Sequence, residues 1–261
     1  MEILNPNVPA TRVSTVLFDF DGTISTLRYG WEGVMEPLMI EILGADSAEL
    51  IRGFIDESTG IQTIFQMKWL AEQVRQRGGA AEDPWEYKAE YNRRLMKTVS
   101  TRRASLEDGS ARREDYMMAG SVELLEALSE CGISMYVASG TDDPDVNAEV
   151  AALGLTGFFS KIAGAPLGVE NCSKEGVIRE LLSSGIHGEY LAVVGDGKVE
   201  IAIGRENGAR TLGVASDEAA LRGVNPVKRE RLVKAGADAI TGDFSDIYDL
   251  KRFFGMGGVS H

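Results

Sequence analysis

Asp19 and Asp21 close the apolar run Val16-Leu17-Phe18 and are followed at once by Gly22 and Thr23. Alternation along an extended chain sends the two carboxylates to one side and Phe20 to the other. Three more chemical features follow in order: Ser139-Gly140-Thr141, then Lys174, then Asp196 with Glu200. Carboxylates alone repel a phosphate, but two or three of them hold Mg²⁺, which takes oxygen ligands. The ion then screens the repulsion and polarises a phosphoryl oxygen. A carboxylate in the same place attacks phosphorus and divides hydrolysis into two easier steps. A lysine and a hydroxyl steady the remaining phosphoryl oxygens. The set is a recipe for phosphoryl transfer. Singly, each member has a plainer reading: Asp21 before Gly22 as a turn, Ser139-Gly140 as a loop, Glu200 as an acid in a helix's first turn. Lys174 is the exception, because a cation in a first turn opposes the helix dipole by about 0.3 to 1 kcal/mol and makes more sense facing anions.

These residues need a scaffold that brings them to one edge. Val16, Leu17 and Phe18 suit a strand buried on both faces, and in open parallel sheets ligands bind outside the carboxyl ends of the strands. After Thr23 the pattern turns helical and stays so through residue 117, too long for a simple connection. Helices are expected over 31–43, 47–55, 59–77 and, from the N-cap Asp83 with Pro84, over 83–99. From Ala119 strands and helices alternate: helix 121–129, strand 133–138 ending in Ser139, a helix from Asp143-Pro144 to Gly154, a strand-like run 158–163, helix 174–182, strand 191–195, then strands 209–214 and 237–240. The expected fold is α/β, a doubly wound, mostly parallel Rossmann-like sheet with an inserted all-helical domain. Residues 1–24 and 118–261 form the core and 25–117 the insertion, placed after what reads as the first strand.

With the motifs placed, Asp19-Phe20-Asp21-Gly22-Thr23, Ser139-Gly140-Thr141, Lys174 and Gly195-Asp196-Gly197 resemble the four ordered motifs of the haloacid dehalogenase superfamily. The resemblance implies Asp19 as nucleophile and Asp21 as the acid that protonates the leaving group and then activates water. It implies Thr23, Ser139, Gly140 and Lys174 around the phosphoryl group. Mg²⁺ would be held by the Asp19 side chain, the Asp21 carbonyl and Asp196, with Glu200 acting through water. The second aspartate of the first motif is what phosphate-handling members have and dehalogenases lack. The insertion resembles the helical cap of members similar to phosphoglycolate phosphatase and β-phosphoglucomutase. The expected activity is Mg²⁺-dependent hydrolysis of a small phosphorylated metabolite. Its rivals are a sugar-phosphate mutase and, from another class, a phospho-aspartate receiver domain.

Composition narrows the partners. A formal net charge of -13 at pH 7 repels nucleic acid and anionic membrane. The polar start of the chain shows no secretory pattern and no apolar run reaches membrane-spanning length, so a cytoplasmic monomer or homodimer is expected. Cys131 and Cys172 have no metal-ligand spacing and are expected to be reduced. In the insertion, Arg28 and Trp31 fall near the hinge, and Thr59, Gln62 and Lys68 fall on a helix that would face the site. The arginines at 93, 94, 102, 103, 112 and 113 read as a solvated face with local ion pairs to Glu90, Glu107 and Asp108.

Overall fold

The computed structural model describes residues 1–8, 11–170 and 173–256. Cys172 and most of the glycine-rich tail after Gly255 lie outside the described residues. A seven-stranded sheet has the order β1-β7-β6-β5-β2-β3-β4. Its strands are β1 (Glu2–Ile3), β2 (Thr15–Phe18), β3 (Ser134–Asp142), β4 (Lys161–Ala165), β5 (Leu191–Gly195), β6 (Arg210–Val214) and β7 (Ala239–Thr241). All neighbours run parallel except β1, which pairs antiparallel with β7. The strand carrying Asp19 is thus second in the chain, because the polar amino terminus supplies a two-residue edge strand that no periodicity reveals.

β2 lies between β5 and β3, where the strand order reverses. Val16 and Phe18 enter one apolar cluster with Val137, Val194 and Leu212, while Leu17 enters another with Val193, Val177 and Ile178. Burial on both faces is what an unbroken apolar strand requires. Phe18 pairs with Val137 of β3 and Val194 of β5. This register brings the residues that follow all three strands to the same edge.

Of the five α-helices between β2 and β3, the first four belong to the insertion: α1 (Glu32–Leu43), α2 (Ala48–Glu57), α3 (Thr63–Gln76) and α4 (Pro84–Glu107). They build their own core from Met35, Met39, Ile51, Met67, Leu70 and Tyr91 among others, with Phe54 and Trp69 stacked at 3.8 Å between ring centres. The Asp83 carboxylate accepts from Trp85 N at 2.9 Å and Pro84 opens α4, as the sequence indicates. The helix then runs two turns beyond the expected end at Val99. Its extension carries Arg102, whose guanidinium donates to the carbonyls of Leu27 and Tyr29 at 2.8 and 2.9 Å. Of the other arginines, Arg93 and Arg94 make the expected pairs with Glu90, whereas Arg112 and Arg113 pair with Asp115 and Glu114 rather than with Glu107 or Asp108.

The sheet is covered by α5 (Ser121–Glu130), α6 (Asp143–Ala152), α7 (Ser173–Ser183), α8 (Lys198–Glu206), α9 (Pro226–Ala235) and α10 (Ile247–Phe253). Two strands differ from expectation. β3 does not stop at Ala138: its pairing with β4 breaks between Ala138 and Asp142 and resumes there, so Ser139 lies on an irregular stretch inside the strand. β4 begins at Lys161 because the chain from Thr156 to Phe158 is a short 3₁₀ turn. Among the described residues, no helix is long and apolar enough to cross a membrane.

Candidate active site

Asp19 N donates to Val194 O at 2.8 Å, which carries the sheet pairing one residue past β2. Gly22 then turns the chain at φ 72°, a left-handed conformation that glycine adopts without strain. A β-carbon at Gly22 would lie 2.4 Å from Asp196 Oδ2, so glycine is also the residue that lets the two loops approach. The result is a cavity of about 110 Å³ lined by Asp19, Asp21, Ser139, Gly140, Lys174 and Asp196 from the sheet edge.

Asp19, Asp196 and Lys174 are 6, 7 and 3% exposed, low values for three charged groups. Lys174, in the first turn of α7, places Nζ 3.2 Å from Asp19 Oδ2 and 2.7 Å from Glu200 Oε2. Burial alone would lower its ammonium, but Asp19 and Glu200 outweigh that and hold it above the usual lysine range. Burial, with Glu200, Asp196 and Asp21 nearby, pushes the Asp19 carboxyl well up despite Lys174. Carboxylate oxygens of Asp19, Asp196 and Glu200 lie within 4.8 Å of one another. An all-oxygen donor set of that size fits a hard divalent cation such as Mg²⁺. Both Glu200 oxygens already have partners, since Oε1 accepts from Gly197 N at 2.5 Å at the start of α8.

Asp21 is held differently. Its Oδ2 accepts from Ser139 Oγ at 3.1 Å and Thr141 Oγ1 at 2.8 Å. Its Oδ1 is buried with no hydrogen-bond partner, and the nearest cation is Arg28 Nε at 3.8 Å. One carboxylate oxygen is thus fixed and the other is available to a ligand. Thr23, by contrast, is fully buried after the Gly22 turn and is not among the residues lining the cavity, and among the described residues its hydroxyl has no hydrogen-bond partner.

Of the residues expected from the insertion, Arg28, Trp31 and Thr59 line the cavity. Arg28 is already engaged, with Glu149 Oε1 at 2.7 Å from Nη2 and 3.0 Å from Nε. Thr59 and Gln62 precede α3 rather than lying on it, because Gly60, at φ 89°, breaks the helical path. Gln62 is buried beside Gly140 in an adjoining hollow. Lys68 is solvent-facing and pairs with Glu170.

Sequence reasoning overlooked Lys228 and Glu218. Lys228 Nζ donates to Asp196 Oδ2 at 2.6 Å, Glu218 Oε1 at 2.7 Å and Ser216 Oγ at 2.9 Å. Ser216 in turn donates to Gly22 O at 2.5 Å, so the network joins the loops after β2, β5 and β6. In sequence Lys228 stands beside the other cations of α9, Arg229, Arg231 and Lys234. Its signal was the spacing of four residues to Leu232, which puts it on the buried face.

Comparison with known proteins agrees with this geometry. The family model described as haloacid dehalogenase-like hydrolase matches residues 13–208. No curated protein matched the sequence. Among solved structures, one described as a predicted phosphoglycolate phosphatase from Haemophilus somnus superposes with a TM-score of 0.63 at 17% identity, covering 92% of this chain and 99% of the other. A predicted phosphatase from Clostridium acetobutylicum gives 0.63 at 19% identity, with 92 and 98% covered. A β-phosphoglucomutase from Clostridium difficile gives 0.62 at 16% identity, with 92 and 97% covered. At these identities the neighbours share the fold, and it is the family match, spanning β2 through α8, that establishes kinship: the chain belongs to the haloacid dehalogenase-like hydrolases.

Proposed function

We propose that the protein is a Mg²⁺-dependent phosphatase of small phosphorylated metabolites that works through an aspartyl-phosphate on Asp19. The observation that carries this reading is the buried Asp19 carboxylate held 3.2 Å from Lys174 at the end of the central strand. An Asp19 oxygen attacks phosphorus and the bond to the leaving-group oxygen breaks. The unpartnered Oδ1 of Asp21 delivers a proton to that oxygen as it departs. Water then attacks the phosphoryl group, Asp21 takes its proton back, and the bond to Asp19 breaks, releasing inorganic phosphate. Lys174, Ser139 and the Gly140 backbone receive the phosphoryl oxygens. Asp19, Asp196 and the Asp21 carbonyl would hold the Mg²⁺, with Glu200 beside it. When bound, the ion supplies Lewis-acid polarisation and offsets the negative charge of phosphate and carboxylates.

Residues 25–117 act in this reading as a cap domain. The Gly60 carbonyl approaches Lys174 Nζ to 3.5 Å, so the loop before α3 closes the site against bulk water. The decisive test is release of inorganic phosphate from acetyl phosphate and p-nitrophenyl phosphate in the presence of Mg²⁺. Catalytic release is expected. Stable stoichiometric phosphorylation would instead identify a receiver-type switch, and transfer to a sugar phosphate without phosphate release would identify a mutase.

A further inference from the structure

The cavity has two ends of opposite character. The sheet end carries the charged groups described above. The helical end is lined by Trp31, Thr63, Gln66, Tyr91 and Leu95, which are all neutral. Among the described residues lining the cavity, the cations are Arg28 and Lys174. Lys174 is matched by Asp19 and Glu200. Arg28 is matched several times over: Glu149, itself fully buried, holds it by two nitrogens, Asp145 lies 3.4 Å away and Asp21 3.8 Å. No charge is left on Arg28 for a second anion, and one brought to it would meet the carboxylates of Asp21 and Asp145.

The neutral wall offers hydrogen bonds instead. Tyr91 is 4% exposed, yet among the described residues its hydroxyl has no hydrogen-bond partner. The same holds for the Trp31 indole N–H and the Thr63 hydroxyl, while Gln66 has spent its amide N–H on Ser58 Oγ at 3.0 Å and keeps its carbonyl. These groups are not sealed from solvent, so a ligand's hydroxyl groups can take the place of water at them. Two aromatic rings among them add flat apolar surface of the kind that lies against C–H faces.

We infer that the group esterified to phosphate is uncharged and hydroxylated, a short polyol or a monosaccharide, and that phosphate esters bearing a second anion are rejected. This rests on the phosphatase reading and sharpens it. A mutase handing a phosphoryl group to a sugar phosphate passes through a bisphosphate and needs a seat for two anions, which this wall does not provide. A site that hydrogen-bonds hydroxyl groups discriminates strongly against analogues lacking them, and like charges set against each other add to the rejection.

The test compares kcat/KM for glycerol 3-phosphate, 2-phosphoglycolate and glucose 1,6-bisphosphate, with p-nitrophenyl phosphate as a control on the chemistry. Glycerol 3-phosphate is expected to exceed both anionic esters at least tenfold. Thr63→Lys, which places a cation on the neutral wall, should raise the ratio of 2-phosphoglycolate to glycerol 3-phosphate by tenfold or more. Equal or better turnover of either anionic ester by the unaltered protein, or no change in the ratio with Thr63→Lys, would overturn the inference while leaving the phosphatase reading intact. Failure to hydrolyse p-nitrophenyl phosphate or any ester would overturn both.

Discussion

Lys174 Nζ and Glu200 Oε2 face each other at 2.7 Å with almost no solvent on either side. The same ammonium reaches Asp19 at 3.2 Å, so one cation from α7 balances a carboxylate from β2 and another from α8. Removing the cation leaves two buried carboxylates near one another without compensation, which costs about 3 to 5 kcal/mol. Lys174→Met should therefore lower the melting temperature sharply at pH 7. Because the orphaned carboxylates can neutralise by taking up protons, the loss should shrink as pH falls toward 5. Thermal denaturation at the two pH values checks this, and an equal loss at both would reject the buried-charge account.

The two aspartates of the first motif should separate in their effects. Asp19→Asn keeps the shape, removes one buried negative charge and abolishes the attacking group, so turnover should vanish while the melting temperature stays level or rises. Asp21→Asn keeps the attacking group and the hydrogen bonds from Ser139 and Thr141 to the side-chain oxygen. It loses the proton, which general acid catalysis values at about 10²- to 10⁴-fold. Rapid-quench measurement of phosphate release resolves the two. Near-normal turnover of Asp19→Asn would remove the nucleophile assignment, and an unchanged rate for Asp21→Asn would remove the acid.

Much of this site was legible because its members occupy positions that local grammar marks. Asp19 and Asp21 stand where an apolar run meets a glycine, and Lys174 stands in a first turn where a cation is out of place. What escaped were contacts set by tertiary approach. Lys228 reaches Asp196 only because Gly22 and Ser216 let three loops close together. The neutrality of Arg28 depends on Glu149 of α6, which is 121 positions away and looks like any acid on a helix surface. The fold was legible for a similar reason: buried strands and capped helices announce themselves, whereas the two-residue β1 has too few positions to show a period and forms only because β7 offers an edge. Ser139 was placed after its strand because nothing local marks an irregular pairing between β3 and β4.

Glu149 should leave a signature in the pH dependence of stability. Burial pushes its carboxyl up to about 7, although Arg28 opposes the shift. A carboxyl raised in the folded state contributes stability that is complete below its unfolded value, about 4.5, and is lost as pH rises through about 7. On that basis stability should decline over this interval by an amount on the order of 3 kcal/mol. Glu149→Gln, which keeps an acceptor for Arg28 but cannot ionise, should flatten the decline between those pH values. Melting temperature measured across pH 4 to 8 compares the two proteins, and parallel profiles would show that Glu149 ionises normally.

Divalent metal should stabilise the folded protein through Asp196. The carboxylates of Asp19, Asp196 and Glu200 converge within 4.8 Å, and Lys174 and Lys228 offset only part of that charge. A ligand bound by the folded state alone adds stability as its concentration exceeds the dissociation constant, about 2.7 kcal/mol at a hundredfold excess. For a protein of this size that corresponds to a rise of roughly 5 to 10 °C in melting temperature. Asp196→Asn removes a ligand charge and leaves Lys228 with Glu218 as its carboxylate partner, so the Mg²⁺-induced rise should disappear even though the metal-free protein remains folded. Chelation with EDTA should abolish both the rise and the phosphatase activity, with Mg²⁺ restoring both. A rise that survives in Asp196→Asn would place the cation elsewhere, and activity that survives chelation would mean that Lys174 and the backbone donors alone stabilise the phosphoryl group.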